Sequence, residues 1–115
     1  MRESDLQAKC INNAKKALKG VVVARSATEG FPDRTFIYKT RVVCVEFKKK
    51  GKQPTELQRH MHQALWKNGI DTAVIDNESD FDWVIQHLQI KFVDGDTFER
   101  IFHTPDKLAG ETFDL

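Results

Sequence analysis

Residues 41–76 place a strand, a helix and a second strand in direct succession. The segments "RVVCVEFK" at 41–48 and "IDTAVID" at 70–76 are both rich in β-branched residues. Between them, Thr55 stands three residues before Gln58, which matches a helical capping box, and Gly69 follows where the helical pattern ends. A strand–helix–strand unit brings its two strands parallel through a right-handed crossover. This stretch therefore predicts an α/β fold.

The residues before this unit add one helix and two strands. Leu6 and Cys10 begin an apolar pattern of helical spacing over residues 3–19. Strands are predicted at 21–26 and 33–39, and a tight turn near Thr40 joins the second of them to 41–48 as an antiparallel hairpin. The predicted core is therefore α-β-β-β-α-β, a central mixed sheet flanked by helices.

Three weaker patterns complete the prediction. A third helix is expected from Ser79, "VDGD" at 93–96 suggests a turn, and residues 103–115 read as a loose acidic tail. Trp66 and Trp83 are expected in the core or at a subunit contact, with stacking on an unpaired base as the alternative. The predicted inward face of the second helix consists of Leu57, Met61, Ala64, Leu65 and Asn68.

The length and the charge distribution indicate one domain with a basic and an acidic portion. The 115 residues suffice for one core, and we expect residues 1–83 to form it and 84–115 to be an acidic extension of the same domain. Residues 1–70 carry fifteen Lys or Arg and six Asp or Glu, a balance of +9, whereas 71–115 carry three and eleven, a balance of −8. A basic portion of this size is typical of proteins that bind a polyanion such as nucleic acid, although a solvated surface explains it equally simply.

Cysteine usage and the absence of long apolar segments point to a reducing compartment. Cys10 and Cys44 lie far apart and among apolar residues, as buried thiols do. The N-terminal residues lack a hydrophobic signal region, and no apolar run approaches the ~20 residues that span a bilayer. We therefore expect a soluble, cytoplasmic protein.

Three charged residues interrupt the otherwise apolar hairpin. Glu46 and Lys48 alternate with Val45 and Phe47, so they leave the strand on one face, and the hairpin turn brings Asp33 opposite Glu46. Two carboxylates at this spacing suit Mg²⁺ or Mn²⁺, and a neighbouring lysine suits phosphoryl chemistry, which together predict a hydrolase of phosphodiesters. The alternative is a structural Glu46–Lys48 pair on an exposed strand face, with Asp33 as an ordinary turn residue.

Further residues around this trio resemble a known family. "GFPDR" matches a G-x-P-D at the head of a hairpin and "VEFK" a V-E-x-K on the next strand; a glycine-bearing basic turn and a helix that opens near a glutamine follow. This pattern resembles the VRR-NUC branch of the PD-(D/E)XK nuclease superfamily, in its stand-alone, phage-type form, and extends from Glu3 and Leu6 to about Asp80. The matching residues are Gly30, Pro32, Asp33, Val45, Glu46, Lys48, Gly51, Gln58 and Gly69.

The resemblance implies a restriction-endonuclease-like core and assigns roles to single residues. Asp33, Glu46 and the carbonyl of Phe47 would bind Mg²⁺ or Mn²⁺, and Lys48 would serve the attacking water. Gln58 would support the site, although its capping-box position explains it equally well. Glu3 would be a further metal ligand, with Asp5 as the competing acid.

Basic residues close to the trio are expected to contact DNA. They are Arg34, Lys49, Lys50, Lys52 and Arg59, and contacts of this kind give affinity without reading sequence. Lysines of the first helix extend the same track. His60 and His62 are two residues apart on a helix and are expected at the surface or rim, so no zinc site is assigned.

The stand-alone form of the resemblance predicts a homodimeric Holliday-junction resolvase, because a two-fold dimer offers two symmetrical sites for branched DNA. A nuclease for flaps, single strands or linear duplex is the alternative among enzymes. A catalytically silent DNA-binding subunit and a protein-interaction domain are the alternatives outside them. No membrane association and no nucleotide cofactor are expected.

Overall fold

A computed structural model describes residues 1–89 and 95–102 of the chain, apart from the side chain at position 99. Helix, three strands, helix and strand follow one another in the predicted α-β-β-β-α-β order, and two more helices come after them. The elements are α1 (Glu3–Ala17), β1 (Val22–Arg25), β2 (Arg34–Tyr38), β3 (Arg41–Phe47), α2 (Glu56–Lys67), β4 (Asp71–Ile75), α3 (Glu78–Leu88) and α4 (Gly95–Ile101).

The four strands form one mixed sheet in the order β1-β2-β3-β4. Strands β1, β2 and β3 pair antiparallel, and the pairing of Tyr38 with Arg41 leaves Lys39 and Thr40 as the two-residue turn. Lys39 takes a φ of 56°, the left-handed conformation that such a turn requires. Strand β4 pairs parallel to β3, with Glu46 beside Val74 and Phe47 beside Ile75. Both the predicted hairpin and the predicted parallel crossover are thus confirmed.

One face of the sheet carries the hydrophobic core. Helices α1 and α3 pack on each other and on β3, which buries the inward side chains of the three elements together. Phe36, Phe47 and Phe81 form a ring cluster with centroid separations of 5.2 and 6.1 Å. The strand residues of this core include Val43, Val45 and Phe47, the side chains that alternate with Cys44 and Glu46.

The other face of the sheet, under α2, is polar. Glu46, Thr72 and His62 are the buried polar or charged residues of the described chain; Thr72 pairs with Cys44 across the strands, and His62 comes from α2. The predicted inward face of α2 is therefore wrong at its two ends, where Leu57 is 49% exposed and Asn68 is exposed. Met61, Ala64 and Leu65 are half-buried, and the side that faces the sheet also carries Gln58 and His62.

The expectation that His62 is a surface or rim residue is also wrong, since its side chain is fully buried. Burial, reinforced by the positive charge of Lys48, lowers its pKa to about 4. The spacing of His60 and His62 along α2 does not reveal which of them is buried, because packing decides which side of the helix faces the sheet. Trp66, on the outward side, is 38% exposed and outside the core, whereas Trp83 packs partly buried against it.

The buried imidazole predicts an acid-dependent loss of stability. Between pH 6.5 and about 4 the unfolded chain protonates His62 while the folded chain does not, so stability falls as the pH is lowered through this window. A His62→Gln variant should lack this contribution, worth about 3 kcal/mol at pH 4. Urea titrations at pH 4, 5 and 7 measure it; an identical pH slope in both proteins would contradict the assignment.

Beyond α3, a helix at Gly95–Ile101 includes residues 95 and 96 of the turn expected over 93–96, and residues 93 and 94 lie outside the described part of the chain. Ile101 and Phe102 are buried in the core, and Phe102 bridges to Ala73 on the outer edge of β4. Position 83, the predicted end of the nuclease core, lies within α3. The acidic tail at 103–115 lies outside the described residues. Among the described helices, none has the length and apolarity needed to cross a membrane.

Both cysteines are free and buried, as predicted. Burial raises the pKa of each thiol, that of Cys10 to about 12, with nearby Glu78 and Asp82 adding to the effect at Cys10. The thiols are therefore protonated packing groups at neutral pH, and neither has the thiolate character that nucleophilic chemistry requires.

Candidate active site

Asp33 is held at the end of the sheet by the backbone of β3. Its Oδ2 accepts a hydrogen bond of 2.8 Å from the amide of Phe47, the residue after Glu46. Asp33 and Glu46 are the next residues beyond the Arg34–Val45 pair, the last pair of the two strands. The two acids therefore lie side by side where the hairpin opens. The structure thus brings together Asp33, Glu46 and Phe47, the residues that the sequence placed around one metal.

Gly30 explains why the loop ahead of Asp33 has its particular sequence. Its φ is 81°, and a Cβ at this position would come within 2.7 Å of the Leu57 side chain on α2. Any larger residue would strain the backbone and collide with the helix. Pro32 is buried beside it. The loop therefore packs closely on α2 and delivers Asp33 beneath that helix.

Glu46 is a buried carboxyl with an incomplete set of partners. Its side chain is 3% exposed, and Oε1 has no hydrogen-bond partner among the described residues. Burial, with the neighbouring Asp33 carboxylate as the second cause, raises the pKa of Glu46 to about 8, and Lys48 opposes both effects. Burial at this level excludes the exposed strand face of the alternative interpretation. A cation beside the two acids would satisfy the Oε1 atom and relieve their repulsion.

Lys48 lies on the same side as Glu46, immediately after β3. Its Nζ is 3.8 Å from Oε2 of Glu46, and its side chain is only 14% exposed. The backbone of Lys48 is fixed as well, because its amide donates to the carbonyl of Ile75 at 2.9 Å. The ammonium group is thus held at the edge of the carboxylate pair, with limited access to solvent.

Gln58 makes hydrogen bonds both to the helix cap and to Glu46. Its Oε1 accepts from the backbone amide of Thr55 at 2.8 Å, and its backbone amide donates to the Thr55 hydroxyl at 3.2 Å, which completes the capping box. At the same time its Nε2 donates to Oε2 of Glu46 at 3.1 Å. One side-chain amide therefore caps α2 with its oxygen and orients the buried carboxylate with its nitrogen.

Because the two roles use different atoms, two substitutions should separate them. Gln58→Glu keeps the capping oxygen but replaces the donor with a second carboxylate facing Glu46, so we expect DNA cleavage to fall at least about tenfold. Thr55→Ala removes the cap, at a cost of about 1 kcal/mol in unfolding free energy, but leaves that donor in place. Cleavage rates and urea unfolding of both variants provide the test; equal losses of activity would contradict separate roles.

Glu3 and Asp5, the competing acids of α1, face different surroundings. Glu3 lines a cavity of about 220 Å³ together with Lys48, Lys49 and Lys50, and its charge reaches Glu46, whose pKa it raises slightly. Asp5 instead forms an ion pair with Arg2, which lowers its pKa. Glu3 is thus the acid of α1 on the side of the site. Across the described residues, however, no three His, Cys, Asp or Glu side chains are gathered closely enough for one metal.

The basic residues expected to contact DNA do not share one surface. Lys49 and Lys50 are exposed on the turn after β3 and line the same cavity as Lys48, and Lys52 lines a neighbouring cleft with Asp76 and Asp80. Arg34 points to the α1 side of the sheet, where its Nε donates to Gln7. Arg59 is half-buried on α2 and donates to the carbonyl of Pro54 at 2.6 Å. The cations therefore flank the carboxylates on both faces of the sheet.

Asp76 was not identified from the sequence, although it lies beside the site. Its Oδ2 accepts from the amide of Gly51 at 3.4 Å and its Oδ1 from Asn77 at 2.7 Å, so it anchors the turn that carries the lysines. A signal existed: Asp76 directly follows β4, and the carboxyl ends of the parallel strands β3 and β4 must meet at one edge.

Comparison with known proteins identifies a structural relative. A solved structure described as a VRR_NUC domain superimposes with a TM-score of 0.65 and 26% sequence identity, covering 74% of this chain and 95% of that chain. No family model and no curated protein matches the sequence. Because the likeness extends over most of both chains, the predicted fold class is confirmed.

Proposed function

We propose that this chain, which is similar over most of its length to a solved VRR_NUC domain and has a restriction-endonuclease-like core, is a divalent-metal-dependent DNA endonuclease. The observation that carries the proposal is the pairing of half-buried Asp33 with buried Glu46 at the open end of the hairpin, with one oxygen of Glu46 lacking a hydrogen-bond partner among the described residues and Lys48 beside it. A structural ion pair needs neither the second acid nor the orphaned oxygen.

The donor atoms fit a hard cation. Asp33, Glu46 and the carbonyl of Phe47 would hold Mg²⁺ or Mn²⁺, which prefer oxygen ligands and keep several waters, and Glu3 would act through one of those waters. When bound, the metal supplies Lewis acidity to the phosphate and lowers the pKa of a coordinated water. Gln58 keeps Glu46 oriented through its 3.1 Å hydrogen bond.

Lys48 would act on the reacting groups themselves. Its ammonium is held by Glu46, so it is positioned to hydrogen-bond to the attacking water and to a non-bridging oxygen on which charge develops. Water then attacks phosphorus in line, and the P–O bond to the leaving strand breaks. Lys49, Lys50, Lys52, Arg34 and Arg59 would hold the DNA backbone around this point.

The finer proposal is a homodimeric Holliday-junction resolvase. Its support is the apolar side chain of Trp66, which the outward side of α2 leaves 38% exposed. A second copy packed on this side of α2 would cover Trp66 and present two active sites to a four-way junction. Sedimentation at low micromolar concentration tests this point, and a monomer would contradict it.

The proposed activity is tested with purified protein and labelled four-way junction, flap, single-stranded and duplex DNA, each with Mg²⁺, Mn²⁺ or EDTA. We expect cleavage in both metals, none in EDTA, and preference for the junction. Binding without metal-dependent cutting would overturn the enzyme proposal. Equal cutting of plain duplex and junction would overturn only the resolvase proposal.

A further inference from the structure

Two arginines lie directly opposite each other next to the candidate active site. Arg25 on β1 pairs with Arg34 on β2, and Arg34 pairs in turn with Val45 on β3. Residues paired across a sheet share a face, and Val45 belongs to the core under α1. Both arginine side chains therefore leave the sheet on the α1 side, where like charges at such close range repel each other.

These arginines form one wall of a groove whose other wall is α1. The cavity has a volume of about 470 Å³, and Ser4, Gln7, Asn12 and Ile11 line it from the helix. None of the described residues lining this groove is acidic. Gln7 accepts from Nε of Arg34 and so fixes the direction of that guanidinium. Arg25 is exposed, and neither arginine forms an ion pair with a carboxylate of the described chain.

The position of the groove connects it to the reacting phosphate. Arg34 directly follows Asp33, and Ser4 directly follows Glu3, so the groove lies at the same end of the sheet as the candidate site, on the α1 face. Two guanidinium groups with hydroxyl and amide donors between them suit a phosphate, because Arg presents paired donors that match its oxygens. An anion bound between them would also remove the repulsion of the two cations.

We infer that the α1–β1 groove binds a backbone phosphate of the DNA strand through Arg25 and Arg34, with Gln7 orienting Arg34. This inference rests on the proposed nuclease function and adds Arg25, which no sequence pattern singled out. With this contact, the bound DNA strand has a defined path from Asp33 and Glu46 across the edge strand β1 of the protein. The contact reads no base, so it contributes equally to all DNA sequences.

The test uses a Lys48→Ala background, so that DNA can be bound in metal-free buffer or in Mg²⁺ with little or no cleavage. Anisotropy titrations of a labelled four-way junction and a duplex, at salt concentrations from about 50 to 200 mM, give the slope of log K against log salt. Adding Arg25→Gln should make this slope shallower by about 1 and weaken binding to both DNAs by a similar factor. Arg25→Lys should restore most of the slope, because it keeps the charge.

Lys67→Gln is the matched control, since Lys67 is an exposed cation at the far end of α2. It should leave slope and affinity unchanged. The Tm of Arg25→Gln should equal or exceed that of the background protein, because one of two repelling charges is gone. A slope for Arg25→Gln equal to that for Lys67→Gln would overturn the inference while leaving the nuclease proposal intact. Failure of the background protein to bind either DNA would overturn both.

Discussion

Replacing Lys48 with alanine is expected to lower the rate of metal-dependent DNA cleavage by about 10²- to 10³-fold, the range found when a single preorganised donor to the transition state is removed. The ammonium is 3.8 Å from Oε2 of Glu46 and nearly enclosed. Its charge therefore acts where little water screens it, and water that enters after its removal does not replace that charge. Lys48→Arg should remain strongly impaired, because a planar guanidinium cannot occupy the position of a compact ammonium.

Single-turnover rates on a labelled four-way junction in Mn²⁺ provide the measurement. Lys67→Ala, which removes an exposed lysine from the far end of α2, serves as the control and should cleave like the unmodified protein. DNA affinity of Lys48→Ala should fall far less than its rate. Cleavage unaffected by Lys48→Ala would remove the basis for the site assignment.

Replacing Glu46 with glutamine is expected to abolish metal-dependent cleavage while making the metal-free protein more stable at alkaline pH. Burial and Asp33 raise the pKa of Glu46 from 4.5 to about 8. Between these values the unfolded chain ionises Glu46 and the folded chain does not, so the free energy of unfolding falls as the pH rises through this window. Glutamine does not ionise, so Glu46→Gln lacks this pH-dependent loss. At pH 9 its free energy of unfolding should exceed that of the unmodified protein by at least about 1 kcal/mol.

Thermal unfolding in EDTA at pH 5, 7 and 9 compares the two proteins, and Glu56→Gln, an exposed carboxylate in the first turn of α2, is the control. Mn²⁺ should raise the Tm of the unmodified protein most at pH 9, because metal and proton compete for Glu46, and should not raise that of Glu46→Gln. If Mn²⁺ stabilises both proteins equally, the two-carboxylate site is not where metal binds.

The opposite signs of the Glu46 and His62 effects make them separable. Glu46 destabilises the folded protein as the pH rises above 4.5, and His62 destabilises it as the pH falls below 6.5. Both arise on the same polar face of the sheet, under α2. The metal-free domain therefore loses stability at both low and high pH, because ionisable groups with shifted pKa values are buried on this face. Such a compromise is typical of active sites.

Local sequence patterns were sufficient for much of the fold. The capping box at Thr55 and Gln58, the hairpin turn at Lys39–Thr40 and the alternation of Val45, Glu46, Phe47 and Lys48 depend on neighbours within a few residues. The parallel pairing of β4 with β3 followed from the strand–helix–strand order, since the helix carries the chain back to the end of the sheet at which β3 began. These features also placed Asp33, Glu46 and Lys48 together, as the structure shows them, whereas Gln58 was placed beside them by the family resemblance.

Packing between elements that are distant in sequence decided the rest. Which side of α2 faces the sheet depends on the contact of the Gly30 loop with Leu57 and on the hydrogen bond of Gln58 to Glu46, so the apolar periodicity of that helix predicted its inward side only in part. The burial of His62 and the contact of Asp76 with Gly51 follow from that arrangement. The opposition of Arg25 and Arg34 depends on strand register, which no local pattern encodes.

The sequence by itself therefore determined the order of elements and the identity of the charged trio, because turns, caps and alternation are short-range effects. Only the tertiary structure decided how those charges behave. The pKa of Glu46, the orphaned Oε1 atom and the dual hydrogen bonding of Gln58 arise from burial under a helix that begins ten residues later in the chain. Desolvation is a property of the assembled core, and no window of sequence contains it.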